Sequence, residues 1–516
     1  MKKKTILRIV LAVLAAAILG GCLYLNSLLP IITGYAAKNL ASDVFVSGRE
    51  PADVEALDLH FSFIKFTRNK VDFENKTVTS RFLWGKSVAA YRDGYGVTLL
   101  RGKKAAELQA EKYPLAPEAE GPDFLEPGDS ALTARLAPIA KALVDDHAYN
   151  GTPFAFVVLH EGKVVAERYR EGLNARTRLL SWSMAKSFTN ALAGVMYGDG
   201  LVDIFTPTGI PEWQGDERAA ITLNDLMQMQ SGLEWNEDYG NRSDVNLMLH
   251  REKDMGLYAI DKPLEHKPGT FWYYSSGSTN IVMRYLRGKF ASDKEFLTYY
   301  RERLFAPLGI HNAVFEPDMS GTPVGSSYLY ITAREFASFG QLYLDDGVFQ
   351  GQRILPEGWV EYSVTPASDK EFLTYYRERL FAPLGIRNAV FEPDMSGTPV
   401  GSSYLYITAR EFASLGQLYL DDGVFQGQRI LPEGWVEYSV TPAADSKDGY
   451  GAFFWLNKDK YWPDIPEDMF NCQGHDGQEV FIIPSKDLVI TVLGYSPKPD
   501  RVVDWNALVR DIIDQL

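Results

Sequence analysis

Strand-forming sequence at both ends of a long helical stretch predicts an α+β fold. The two ends are "FAFVVLHEGKVVAERY", Phe154 to Tyr169, and "EVFIIPSKDLVITVLG", Glu479 to Gly494. Both are rich in β-branched and aromatic residues and broken by turn residues. Periodic helical segments fill the interval, so the two ends are expected to meet in one sheet. This domain spans residues 130–516. Ahead of it, "APEAEGPDFLEPGDS" reads as a linker, and alternation in "KTVTSRFLWGKSVAAYRDGYGVTLL" marks a small strand-rich segment over residues 29–123.

The first 28 residues are of another kind. "MKKKTILR" is a basic flank, and an uncharged apolar run follows from Ile9 to Leu25. That pattern fits a membrane anchor or signal segment with its lysines in the cytoplasm, which puts the body outside it. Lipidation at Cys22, in "LGGC", is the alternative to an uncleaved anchor. The net charge of −15 becomes −19 when Lys2, Lys3, Lys4 and Arg8 are set aside. Such an acidic body repels nucleic acid and anionic headgroups, and no basic stripe interleaved with aromatics offsets it. With only Cys22 and Cys472 present, no disulfide framework is expected.

The chain contains a tandem repeat. "ASDKEFLTYYRERLFAPLGI" begins at Ala291 and again at Ala367, and the copies, residues 291–366 and 367–442, differ only as His311 against Arg387 and Phe339 against Leu415. Each encodes an amphipathic helix and a second helix opened by a capping box, Thr332 to Glu335 in the first copy and Thr408 to Glu411 in the second. Identity this high marks a recent duplication or an assembly artefact, because solenoid repeats drift further apart.

Three stretches carry candidate chemistry. In "SWSMAKSF", Ser183 and Lys186 form an S-x-x-K pair, whose spacing puts hydroxyl and amine on one face of a helix start. Free N–H groups and the positive dipole end favour a developing anion there. The apolar "FTNALAGVMYG" downstream supplies burial, which lowers a lysine's pKa toward the neutral form a base requires. A capping serine with a snorkelling lysine is the plainer reading of the pair alone, and "SFIK", Ser62 to Lys65, repeats the spacing in a strand-like context. In "FWYYSSGSTN", Tyr274 lies between a turn and a helix, where a phenol can relay a proton. In "CQGHDGQEV", the turn Gly474 to Gly477 leads into a strand whose edge can offer an oxyanion-binding N–H.

Taken in order, "SWSMAKSF", "ITLNDLMQMQSGLEWNEDY", "WYYSSGSTN", "LFAPLGI", "YITAREFASFGQLYLDDG" and "GHDGQEVFIIPSKDLVI" resemble serine hydrolases of the β-lactamase and penicillin-binding-protein superfamily. They are most similar to its class C, esterase and 6-aminohexanoate-dimer hydrolase branch. The resemblance implies an antiparallel sheet flanked by helices, with an all-helical subdomain. It implies Ser183 as the acylated nucleophile, Lys186 as its base and Tyr274 as the proton relay. His475, Asp476 and Gly477 stand where the family has Lys-Thr-Gly or His-Thr-Gly, and the N–H groups of Ser183 and Gln478 form the oxyanion hole. Tyr239 falls where aminohexanoate-type enzymes place a substrate-contacting tyrosine, and it rivals Tyr274 for the relay. Two departures weaken the case for β-lactams: Ser276 replaces the asparagine of Tyr-x-Asn, and the largely neutral His475 replaces a lysine.

The expected activity is cleavage of small esters or amides through an acyl-enzyme. A β-lactamase or D-Ala-D-Ala peptidase is the alternative within the class, and a non-catalytic ligand-binding homologue the alternative outside it. No G-x-S-x-G, H-E-x-x-H, Cys/His cluster or phosphate-cradling loop occurs, so no metal or nucleotide cofactor is implied. The family fold has one position for the repeated unit, so Ser326 and Ser402 compete for one place beside the pocket.

Overall fold

The computed structural model describes residues 3–111, 113, 125–364, 390–391, 405–406, 424–425, 428–429, 455–457, 460–467, 469–474, 477–486, 488–494, 496 and 503–516. It opens with one helix, α1 (Lys3–Ser42), 40 residues long. Leu11, Val13, Leu14, Ile18, Leu19 and Leu23 are exposed, whereas Leu29, Ile32, Ala36, Ala37, Leu40 and Ala41 are buried. The expected boundary at residue 28 is therefore a change of surroundings within a continuous helix. Small residues at 36, 37 and 41 let α1 lie close against the strands that follow.

Those strands are β1 (Arg68–Asp72), β2 (Thr77–Phe82), β3 (Gly85–Arg92) and β4 (Gly96–Leu99), an antiparallel meander. Val78, Ala89, Val97 and Leu99 form one apolar cluster with Ala36, Leu40 and Val44. The SFIK stretch is no strand: Ile64–Phe66 is a 3-10 turn, and Ser62 precedes it at φ +43°. Buried Glu316 ties this region to the main body, accepting from Lys38 Nζ, from Ser42 Oγ at 2.9 Å and from the Val97 N–H at 2.6 Å.

The main body is built on a six-stranded antiparallel sheet of β5 (Pro153–His160), β6 (Lys163–Tyr169), β10 (Trp455–Leu456), β11 (Phe470–Gly474), β12 (Gln478–Ile483) and β13 (Leu488–Gly494), in the order β10-β11-β12-β13-β5-β6. β13 pairs with β5 through Val489–Leu159 and Thr491–Val157, joining the two ends of the domain as the sequence predicts. Alternation sorts the faces. Phe156 and Val158 join Leu132, Leu136, Leu508 and Ile512 beneath α2 (Ser130–Val144) and α6 (Trp505–Ile513). Ala155, Val157 and Leu159 point instead into the larger core with Phe188, Leu192 and Phe336. That second face carries α3 (Ala185–Gly198) and the helices between the strands.

The first repeat copy fills the position beside the sheet. Its β8 (Val314–Phe315) and β9 (Leu329–Ile331) join β7 (Leu179–Leu180) in a three-stranded sheet, and its α5 (Ala333–Leu344) packs on β5, β12 and β13. Thr332 caps α5 with the reciprocal Glu335 bond the sequence predicts. Tyr343 Oη, Trp359 Nε1 and Ser363 Oγ all donate to Asn190 Oδ1 on α3, at 2.7, 3.1 and 2.9 Å. Phe339 stacks on Phe188 with centroids 3.8 Å apart. In the second copy, Val390–Tyr406 and Val424–Arg429 repeat the local pairings Val314–Tyr330 and Val348–Arg353. Its Ser402, Thr408 and Glu411 lie outside the described residues.

Because the first copy supplies these contacts to α3 and the sheet, deleting residues 367–442 should leave the domain folded. Deleting 291–366 instead should also fold, with Leu415 in place of Phe339 costing about 1 kcal/mol of lost ring stacking. Denaturant unfolding of the two deletion variants measures that difference.

Candidate functional site

Ser183 sits in a 3-10 turn, Trp182–Met184, that feeds directly into α3. Trp182 holds φ at +47°, uncommon for a bulky residue, and its ring is wedged between Tyr35 of α1 at 6.0 Å and Tyr328 at 6.1 Å. Packing from both sides fixes the turn that presents Ser183. The serine is partly buried, while Lys186, one turn on, is 1% exposed.

Three oxygens surround the amine. Lys186 Nζ lies 3.1 Å from Ser183 Oγ, 3.1 Å from Ser276 Oγ and 3.0 Å from the carbonyl oxygen of Ser326. Burial lowers its pKa to about 8, against a smaller opposing pull from Glu237. A neutral amine has two hydrogens and one lone pair. The Ser326 carbonyl can only accept. Ser276 spends its own hydrogen on Glu237 Oε1, at 2.5 Å, so its oxygen accepts from lysine as well. With both hydrogens committed, the lone pair is left for the Ser183 hydroxyl.

Glu237 makes that arrangement possible, and sequence reasoning missed it. Its carboxylate accepts from the Ser276 N–H at 2.9 Å, the Ser276 hydroxyl, the Trp235 indole and the Tyr239 phenol at 2.7 Å. Spacing within "WNEDY" places Trp235, Glu237 and Tyr239 alternately along one extended loop, the only hint the sequence offered. Ser276, the departure from Tyr-x-Asn, is thus the bridge between carboxylate and amine at the start of α4 (Ser276–Arg287).

Tyr274 precedes α4 with its ring 4.9 Å from Lys186 Nζ and stacked on Trp455, and its phenol is hydrogen-bonded to Ser183. Burial pushes that phenol above its ordinary pKa, so it holds its proton in neutral solution. Tyr239, 37% exposed, donates to Glu237. Of the two rivals, Tyr274 is the one hydrogen-bonded to the serine.

Strands β11 and β12 run beside the Trp182–Met184 turn. Gln478 opens β12, directly after Gly477, whose φ of +82° and 2.9 Å clearance to Ser496 Cβ admit no side chain without strain. His475 and Asp476 lie outside the described residues. Ser326 of the first copy occupies the place beside the amine, its hydroxyl accepting from Asn280 Nδ2 at 3.0 Å. Among the described residues, no group of three or more His, Cys, Asp or Glu side chains could hold a metal.

A family model described as Beta-lactamase matches residues 139–370 and 358–513. The 6-aminohexanoate-dimer hydrolase of Paenarthrobacter ureafaciens is 28% identical over 241 residues, 43% of this chain and 59% of that enzyme's length. Among solved structures, a family VIII carboxylesterase aligns at 14% identity over 77% of this chain and 98% of its own, with a TM-score of 0.48. A penicillin-binding protein homologue from Caulobacter crescentus aligns at 12% identity over 76% and 99%, also with a TM-score of 0.48.

Linkage follows from the buried amine. Below pH 8 the folded state carries a buried cation; between pH 8 and the unfolded value of 10.5 the native lysine releases its proton first, so stability rises with pH. Relative to Lys186→Met, the wild-type chain should gain about 3 kcal/mol across that window. Denaturant unfolding of both proteins at pH 7.5 and pH 10.5 reads the difference.

Proposed function

This chain belongs to the Beta-lactamase family, and on that premise we propose that it is a serine hydrolase cleaving small esters or amides through an acyl-enzyme. The observation that carries the reading is the Lys186 amine, buried and left with its lone pair toward Ser183. Lys186 takes the hydroxyl proton as Ser183 Oγ attacks the substrate carbonyl carbon. The backbone N–H groups of Ser183 and Gln478 hold the resulting oxyanion. As the tetrahedral species collapses, the leaving group takes a proton from Tyr274, which regains one from Lys186. Water then attacks the ester, a proton returns to Ser183, and the acid is released.

The neighbourhood of Glu237 favours neutral acyl groups. A carboxylate two hydrogen bonds from the amine, through Ser276, repels the carboxylate of a penicillin or a D-Ala-D-Ala peptide. Ser276, committed to Glu237 and Lys186, has no hydrogen left to donate to such a substrate.

On the same reading, the apolar N-terminal part of α1 anchors the protein in a membrane, with its catalytic body on the extracytoplasmic side. Support comes from the stretch Leu11–Ser47, which contains an 18-residue window with none of its described residues buried and a mean hydropathy of 1.9, and from the basic flank before it.

A nitrophenyl ester should give a burst of product, with kcat/KM exceeding that for a penicillin. Ser183→Ala should abolish the burst and lose at least ~10³-fold in rate. A fluorophosphonate should label Ser183, and labelling elsewhere overturns the assignment. The acid limb of kcat/KM should lie near pH 8, where Lys186 loses its proton. Glu237→Gln should move that limb to lower pH, because the lost carboxylate charge had favoured the ammonium. An unmoved limb in Glu237→Gln shows that the titrating base is another group.

A further inference from the structure

We propose that the β2–β3 hairpin tip and the adjoining 3-10 turn form a second membrane contact, seated in the headgroup region of the bilayer beside α1. The inference rests on the anchor reading of α1 given above.

The hairpin closes through a two-residue loop, Leu83-Trp84, between Phe82 and its partner Gly85. Hairpin tips in water use Asn, Asp or Gly, because the first loop residue takes a positive φ. Here Leu83 holds φ at +51° and is 62% exposed, with Trp84 56% exposed beside it. Phe63 and Phe66, also more than half exposed, extend the apolar surface; the Phe63 ring lies 6.4 Å from that of Phe82, and the Arg68–Arg81 pairing brings Phe66 to the same end of the meander. An isolated exposed leucine needs no explanation, but a contiguous aromatic patch at a strained tip does.

Its position names the occupant. Trp84 Nε1 donates to Asn26 Oδ1 at 3.2 Å, and the Leu29 side chain crowds Gly85, within 2.7 Å of where a Cβ would sit. Asn26 is the last exposed residue before α1 enters the body. From Arg8 to Asn26 the helix rises about 27 Å, close to the hydrocarbon thickness of a bilayer. With Arg8 at one interface, Asn26 and Trp84 fall at the other, the depth tryptophan prefers.

Charge agrees. In a body of strong negative charge, residues 59–71 and 77–92 contain no Asp or Glu, but they carry Lys65, Arg68, Lys70, Arg81, Lys86 and Arg92. Lys65, Arg68, Lys70, Arg81 and Lys86 are exposed. The acidic body as a whole repels anionic headgroups; this face is the local exception, apolar at the centre and cationic at the rim.

The test uses the full chain with Cys22→Ser and Cys472→Ser, reconstituted in phosphatidylcholine–phosphatidylglycerol vesicles. Single cysteines introduced by Leu83→Cys, Leu19→Cys and Tyr461→Cys are labelled with an environment-sensitive fluorophore and challenged with nitroxide lipids. Docking predicts a blue-shifted label at position 83, quenched roughly two-fold by headgroup nitroxides, with the label at 461 unaffected. A label at 83 that behaves like 461 while the label at 19 is quenched by acyl-chain nitroxides overturns the docking and leaves the anchor standing. Absence of quenching at both 83 and 19 overturns both.

Discussion

A single buried amine organises this protein. Lys186 Nζ touches three oxygens, each brought by a different part of the chain: Ser183 from the turn before α3, Ser276 from the start of α4, and the Ser326 carbonyl from the first repeat copy. Burying a lysine is costly, and the cost persists here because the surrounding groups define which proton sits where. Glu237 enforces the pattern from one step away by claiming the Ser276 hydrogen. Remove that claim and Ser276 is free to donate, so the lone pair of the lysine has two possible partners rather than one.

Much of the framework was legible in the sequence because it depends on local pattern. Runs of β-branched and aromatic residues in β5 and β13 foretold a sheet shared by the two ends of the domain, and the S-x-x-K spacing placed Ser183 and Lys186 one turn apart. Tyr274 was legible as a turn-to-helix aromatic, and the structure adds its bond to Ser183. Glu237 was not, since an acidic residue in a polar loop looks like any solvated carboxylate until α4 is laid beside it. The passage of α1 into the core was hidden for the opposite reason. Its apolar run continues without a break, and only the strands packed on Ala36, Ala37 and Ala41 separate the exposed part from the buried part. Two nearly identical copies offer no local signal by which Ser326 could be preferred to Ser402.

The first copy is held by polar bonds as well as by the apolar residues it gives to the core. Asn190 gathers three donors from Tyr343, Trp359 and Ser363, and Glu316 gathers Lys38, Ser42 and the Val97 N–H. Losing either acceptor removes these buried bonds, at about 1–3 kcal/mol for each donor that finds no substitute. These two residues link the repeat unit to α3 on one side and to α1 on the other, so the turn that presents Ser183 is braced from both directions.

Helix α1 runs unbroken from its exposed end to Tyr35, whose ring lies flat against Trp182, the residue before Ser183. Asn26 and Tyr35 are nine positions apart, about 14 Å of helical rise, and the helix continues through Pro30 between them. On the proposed placement the tether is a mast rather than a leash. That places the nucleophile a short, set distance above the lipid surface, which suits cargo arriving along the membrane better than cargo arriving from afar.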